Sequence, residues 1–287
     1  MSYETLIRAD VLARELAAGG AGWLVIDCSF DLADRGAGRR LYDAGHIPGA
    51  RHADLENVLS GAKTGANGRH PLPDREAFVR AMRGFGADDD TQIVAYDNAG
   101  GMFAARLWWL LRWTGHRAVA VLDGGLAAWR AASLDLDADP PAPPAQGRFS
   151  AREPLVRTVA YGALRAGLDR GDHLVMDARA ADRFRGENET LDPMGGHIPG
   201  ARNRFFRDNL TESATFRAPE ELRRAFEELA GGVPVRQWVN QCGSGVTACH
   251  NLLAQAVAGL PGAALYPGSW SEWSAQPGAP VATGPRG

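Results

Sequence analysis

The chain has 287 residues, of which 45% are hydrophobic and 23% charged, with a formal net charge of -3. That mix fits a globular protein of one large or two ordinary domains, and the near-neutral charge excludes a global attraction to nucleic acid or anionic membrane. No apolar run approaches the roughly 18–20 residues that cross a bilayer, so no membrane partner is expected. The N-terminal stretch, with Glu4, Arg8, Asp10 and Arg14, has no apolar signal core. Three cysteines, Cys28, Cys242 and Cys249, are too few and of the wrong parity for a disulfide scaffold; a reducing, cytoplasmic location with a free thiol is expected.

In chain order, residues 24–27 and 93–96 read as buried strands. Arg75–Gly84 and Ala104–Trp113 read as helices, with Gly115 suited to stop the second, and Val119–Leu122 as another strand. Residues 174–176 and 238–240 are strand-like. Pro219–Ala230 carries proline in its first turn and apolar Leu222, Phe226 and Leu229 at helical spacing; residues 246–258 form a further helix. Strand–helix alternation of this kind predicts α/β domains, each with a mostly parallel central sheet flanked by helices. Ligands of such sheets sit where strands end and helices begin, which places His46, Asp97, His197 and Cys242 near functional edges.

The pattern occurs twice. Leu24-Val25-Ile26-Asp27-Cys28 followed by Gly45-His46-Ile47-Pro48-Gly49-Ala50-Arg51 is answered by Leu174-Val175-Met176-Asp177-Ala178 followed by Gly196-His197-Ile198-Pro199-Gly200-Ala201-Arg202. Ile93-Val94-Ala95-Tyr96-Asp97 is answered by Trp238-Val239-Asn240-Gln241-Cys242, and the stretch from Leu122 to Trp129 by that from Tyr266 to Trp273. Four landmarks in one order and nearly one register indicate an internal duplication. Between the halves, Pro140, Pro141, Pro143 and Pro144 prevent helix and favour extended, semi-rigid chain. The expected division is therefore residues 1–137, a linker over 138–152, and residues 153–287.

Cys242-Gly243-Ser244-Gly245-Val246-Thr247 follows a buried strand and opens a helix. Glycines let the backbone curl so that its N–H groups turn inward, and such a nest at a helix N-terminus attracts an anion. A thiol at its centre is favoured as thiolate, the nucleophilic form. An inert cysteine at a tight turn is the bland alternative; the flanking glycines weigh against it. Cys28 and Cys249 lack that setting and read as inert.

The duplicated Gly-His-Ile-Pro-Gly-Ala segments together with Cys-Gly-Ser-Gly-Val-Thr-Ala resemble the rhodanese superfamily over nearly the whole chain, most closely its 3-mercaptopyruvate sulfurtransferases. The resemblance implies two tandem rhodanese-like domains, a silent first one with Asp97 at the cysteine position and a catalytic second one. It implies that Cys242 takes sulfur from a small anionic donor as a persulfide, with Gly243, Gly245, Val246 and Thr247 forming the binding loop, and passes it to a thiol, thioredoxin or cyanide. It further implies a proton relay through Ser244, His46 and an aspartate, for which Asp34 is the choice among Asp31, Asp34 and Asp43. Arg183, first arginine of Arg183-Phe184-Arg185-Gly186, would bind the donor anion. A second arginine, usual before the second Gly-His-Ile-Pro-Gly in such enzymes, is missing between Gly186 and Gly195.

Three rival readings remain. Thiosulfate as donor needs the same fold and persulfide, but relatives preferring it carry basic residues after the cysteine, where this chain has Gly243 and Ser244. A cysteine phosphatase would need an arginine where Ala248 stands. A non-enzymatic binding module is disfavoured by the intact loop. No metal is expected, since Cys242, Cys249 and His250 lack a second cysteine pair, and no cofactor, since no dinucleotide-binding glycine pattern follows a strand.

Overall fold

The computed structural model describes residues 2–285. These divide into two compact units. The first comprises the residues up to Gly61, Pro73–Leu155 and Glu212–Phe216; the second comprises Ala62–Leu72, Val156–Thr211 and the residues from Arg217 onward.

In unit 1 the chain runs β1 (Leu6–Ile7), α1 (Ala9–Ala17), β2 (Trp23–Asp27), α2 (Ala37–Ala44), β3 (Arg51–His52), α3 (Arg75–Gly84), β4 (Gln92–Tyr96), α4 (Ala104–Trp113), β5 (Val119–Leu122) and α5 (Gly125–Ala131). The five strands form one parallel sheet in the order β1-β5-β4-β2-β3. Every residue of β4 and β5 is buried, as befits strands covered by helices on both faces. Val25, Val94, Tyr96, Ala120, Leu122, Leu126 and Trp129 lie in one core cluster.

Unit 2 repeats the plan: β6 (Arg157–Thr158), α6 (Tyr161–Leu168), β7 (Leu174–Asp177), α7 (Ala181–Arg185), β8 (Arg202–Asn203), α8 (Pro219–Ala230), β9 (Trp238–Gln241), α9 (Thr247–Val257), β10 (Ala264–Leu265) and α10 (Ser269–Trp273). Its parallel sheet has the order β6-β10-β9-β7-β8, the same topology. Val175, Phe184, Val239, Tyr266, Trp270 and Trp273 anchor its core. In both sheets the central strand, β4 or β9, delivers the residue of interest at its C-terminal end: Asp97 in one and Cys242 in the other.

One expectation, the division of the chain into contiguous halves, changes here. The proline-rich stretch carries no helix and is packed. Arg51 donates to the carbonyls of Pro141 and Ala142, Gly147 N–H to Arg83 O and Phe149 N–H to Ala87 O, and Phe149 is fully buried. Neither unit is one contiguous half of the chain, because residues 62–72 fold with the second and 212–216 with the first.

Helix α3 begins at a side-chain cap: Asp74 accepts the N–H of Ala77 at 2.8 Å. Asp74→Ala should lower unfolding stability by about 1 kcal/mol, read as a lower urea midpoint at unchanged slope; an unchanged midpoint would mean the cap contributes nothing.

Candidate active site

The loop after β9 is built around the Cys242 sulfur. Gly245 N–H donates to Sγ at 3.1 Å and Ser244 N–H at 3.5 Å. Gly245 has φ +80°, and a Cβ there would stand 2.4 Å from Pro267 O, so the curl needs glycine. Cys242 is 2% exposed. Helix α9 starts two residues beyond Gly245, and its first turn is bonded back to the loop: Cys249 Sγ donates to Gly245 O at 3.3 Å.

A second element fixes the loop from below. Trp270 N–H donates to Cys242 O at 2.9 Å and Ser271 N–H to Gly243 O at 2.9 Å. Ser269 Oγ accepts the N–H of Cys242 at 3.1 Å and donates to Tyr266 O at 3.0 Å. Ser269 sits at φ +55°, a left-handed conformation that costs a non-glycine residue about 1–3 kcal/mol. Its repeat counterpart, Gly125, has the same φ, and a Cβ there would lie 2.3 Å from Asp97 O. The serine is thus retained at a strained position where its hydroxyl reaches the backbone of the cysteine.

Two side chains from residues 62–72 complete the surroundings in unit 2. His70 Nδ1 and Ser244 Oγ are hydrogen-bonded at 2.7 Å, with His70 4% exposed. Arg69 Nη2 approaches Gly243 so closely that a Cβ on that glycine would meet it at 2.8 Å, and Arg183 Nη1 would lie 3.5 Å from the same point. Two guanidiniums therefore flank the residue after the cysteine. The bare Gly243 leaves room for both.

Behind them lies a buried ion-pair network. Arg179, its side chain 1% exposed, pairs with Asp177 at 2.6 Å and with Glu189 at 3.5 Å, donates to Gly196 O and stacks 4.7 Å over the Trp270 ring. Burial lowers the Arg179 pKa, but Asp177, Glu189 and Cys242 outweigh it and hold the guanidinium above its usual value. Arg183 pairs with Glu189 at 2.9 Å and lies 3.4 Å from Asp192, and Arg69 pairs with Asp192.

The structure brings Cys242, Gly243, Ser244, Gly245 and Arg183 together, with Val246 and Thr247 carrying the loop into α9. The other two expected relay residues belong to unit 1. His46 is fully buried in unit 1, where its Nδ1 contacts Tyr42 O at 2.9 Å and its ring stacks on Tyr42 at 4.0 Å. His197 does the same in unit 2 with Phe184, at 2.8 and 3.8 Å. Each Gly-His-Ile-Pro-Gly histidine thus locks its segment to the preceding helix, and the histidine on Ser244 is His70. Asp34 is exposed, its carboxylate taken by Arg40, which holds its pKa below the usual range, and by Gly36 N–H. The sequence did not point to Arg69, whose guanidinium flanks Gly243 beside that of Arg183. The signal available was an adjacent Arg69-His70 in the stretch following the first Gly-His-Ile-Pro-Gly.

The remaining cysteines are closed off. Burial, aided by the carboxylates of Asp27 and Asp97, pushes the Cys28 thiol well up. In unit 1 the loop position of Cys242 is filled by the Asp97 carboxylate, which accepts the N–H groups of Ala99, Gly101, Phe103 and Ala104 at 2.8–2.9 Å. Burial pushes the Asp97 pKa up against the pull of those four donors.

Two doubly covered parallel sheets, each with an anion cradle after its central strand, define a duplicated domain of one class. The rhodanese-like domain model matches residues 9–132 and 161–276, and the chain belongs to that family. It is 47% identical over 287 residues to a probable 3-mercaptopyruvate sulfurtransferase of Pseudomonas aeruginosa, covering 99% of this chain and 100% of that one. It is 33% identical to a thiosulfate sulfurtransferase of Cricetulus griseus, covering 94% and 92%. SseA of Escherichia coli, a 3-mercaptopyruvate sulfotransferase of rhodanese fold, superposes with a TM-score of 0.80 at 32% identity, covering 94% of this chain and 100% of its own.

If Ser269 is strained as its φ implies, Ser269→Ala, which keeps the strain and loses both bonds, should be less stable than Ser269→Gly by about 1 kcal/mol. Urea denaturation of the two variants checks this, and equal midpoints would remove the strain argument.

Proposed function

We propose that the protein is a sulfurtransferase that takes sulfur from 3-mercaptopyruvate onto Cys242 and passes it to a thiol, thioredoxin or cyanide. The observation that carries this reading is the convergence on one loop of a sulfur atom cradled by the N–H groups of Ser244 and Gly245, two flanking guanidiniums, and a histidine bonded to Ser244. Arg183 and Arg69 suit the donor's carboxylate, since planar guanidinium pairs bidentately with planar carboxylate. The Cys242 thiolate attacks the thiol sulfur of the donor. The carbon–sulfur bond breaks, and its electron pair leaves on the three-carbon fragment as pyruvate enolate. The proton given up by the donor's thiol, relayed through Ser244 and His70 to the enolate carbon, gives pyruvate. The persulfide left on Cys242 carries its negative charge on the outer sulfur, where backbone N–H groups stabilise it. A thiolate or cyanide then attacks that outer sulfur and releases the Cys242 thiolate.

Support for the mercaptopyruvate donor comes from the absence of a basic side chain at Gly243 and Ser244 and from the likeness to the named relatives. The three free, buried cysteines suit a reducing compartment such as the cytoplasm. No helix of the described residues is long and apolar enough to cross a membrane.

Intact-protein mass after incubation with 3-mercaptopyruvate should show one added sulfur atom in the wild type and none in Cys242→Ser. A wild type that gains no sulfur while folded and reduced would end this reading. Arg69→Gln should raise the KM for mercaptopyruvate about tenfold through loss of one charged hydrogen-bonded pair; an unchanged KM would take Arg69 out of the site.

A further inference from the structure

Asp192 differs from every other carboxylate of this network. Its side chain is 2% exposed, yet its partners among the described residues are guanidiniums: Oδ1 faces Arg69 and Oδ2 lies 3.4 Å from Arg183. Glu189, by contrast, accepts the N–H groups of Leu191 and Asp192 at 2.9 and 3.2 Å and is built into the turn. Burial pushes the Asp192 carboxyl up, opposed by Arg69, while the neighbouring charge of Glu189 adds to the rise. Such a carboxylate depends on the arginines alone. Those same two guanidiniums flank Gly243, with side chains 30% and 21% exposed.

We propose that Asp192 is a built-in competitor for the donor's anionic group, occupying the Arg69–Arg183 pair in the free enzyme and yielding it when a donor binds, so that singly charged donors are selected over doubly charged ones. This deepens the sulfurtransferase reading and rests on it. The linked network sets Arg69, Arg179 and Arg183 against Asp177, Glu189 and Asp192, and its charges cancel. Apart from Cys242 itself, the charges that meet an arriving anion therefore cancel, and a second negative charge on the donor gains nothing from them. Removing the Asp192 charge leaves the cluster with one positive charge. The attraction then scales with the charge of the ligand, so a dianion gains twice the free energy of a monoanion.

The test is steady-state kinetics of Asp192→Asn on 3-mercaptopyruvate and thiosulfate, with the sulfur adduct on Cys242 followed by mass. Expected is a KM lowered about threefold for mercaptopyruvate and about tenfold for thiosulfate, the square of the first, with kcat for each donor little changed. Asp192→Ala, which also removes the charge but not by isosteric replacement, should shift the two donors in the same ratio, and the gain should shrink in an Arg69→Gln background. Values of KM that stay put, rise, or fall equally for both donors would overturn the competitor role while leaving the sulfurtransferase reading intact. A wild type that forms no adduct with either donor would overturn both.

Discussion

The interaction on which the rest depends is the convergence of backbone N–H groups on one side-chain acceptor at the end of a central parallel strand. A buried anion is costly unless it is hydrogen-bonded, and donors fixed in a loop supply those bonds with no further ordering. The same solution appears twice with different occupants. In unit 1 four amides close on the Asp97 carboxylate, and the cradle holds part of its own chain. In unit 2 two amides close on the Cys242 sulfur, an atom that can accept and surrender another. The two copies thus differ in which side chain fills one repeat position, a carboxylate in one and a thiol in the other.

Holding that sulfur in register requires support from beneath. Trp270 and Ser269 supply it through the carbonyl and the amide of Cys242. Trp270 also carries the Arg179 guanidinium on its ring and donates to Met194 O, so one residue connects the cysteine loop, the buried ion pairs and the stretch leading to the second Gly-His-Ile-Pro-Gly. Buried ion pairs of this kind do little for net stability unless every charge is matched. Arg179 is matched in charge by Asp177 and Glu189 but its buried Nη1 makes no hydrogen bond, so the pairs supply a defined geometry for the arginines nearer the loop rather than net stability.

Much of this was readable in the amino-acid sequence, for definite reasons. The strands β4, β5 and β7 announce themselves because they are buried on both faces and run as largely apolar stretches, while β9, with Asn240 and Gln241, is signalled more by its place in the repeat. Helix α8 is signalled by Pro219 in its first turn and by its apolar stripe. The cysteine loop is local, so Cys242, Gly243, Ser244 and Gly245 sit where their order implies. Arg69 and His70 were not legible, because they stand in a stretch without regular periodicity and their partners lie far away in sequence. His46 misled for the opposite reason: a recurring motif looks chemical, yet its recurrence at His197 with the same ring stacking marks it as a packing device. Asp34 was a choice among neighbours in a segment with no register to decide between them.

The exchange of segments between the two units has a consequence for how the chain can be divided. A fragment cut within the proline-rich stretch would keep Cys242 and the whole second sheet, but it would lose Arg69 and His70, which reach unit 2 from the first half. The reverse fragment would lose residues 212–216, among them Phe216, whose N–H caps the Asp123 carboxylate at 2.8 Å. The duplication is therefore no longer modular. Each copy has lent the other a strip of itself, so neither half of the chain carries the whole of one unit.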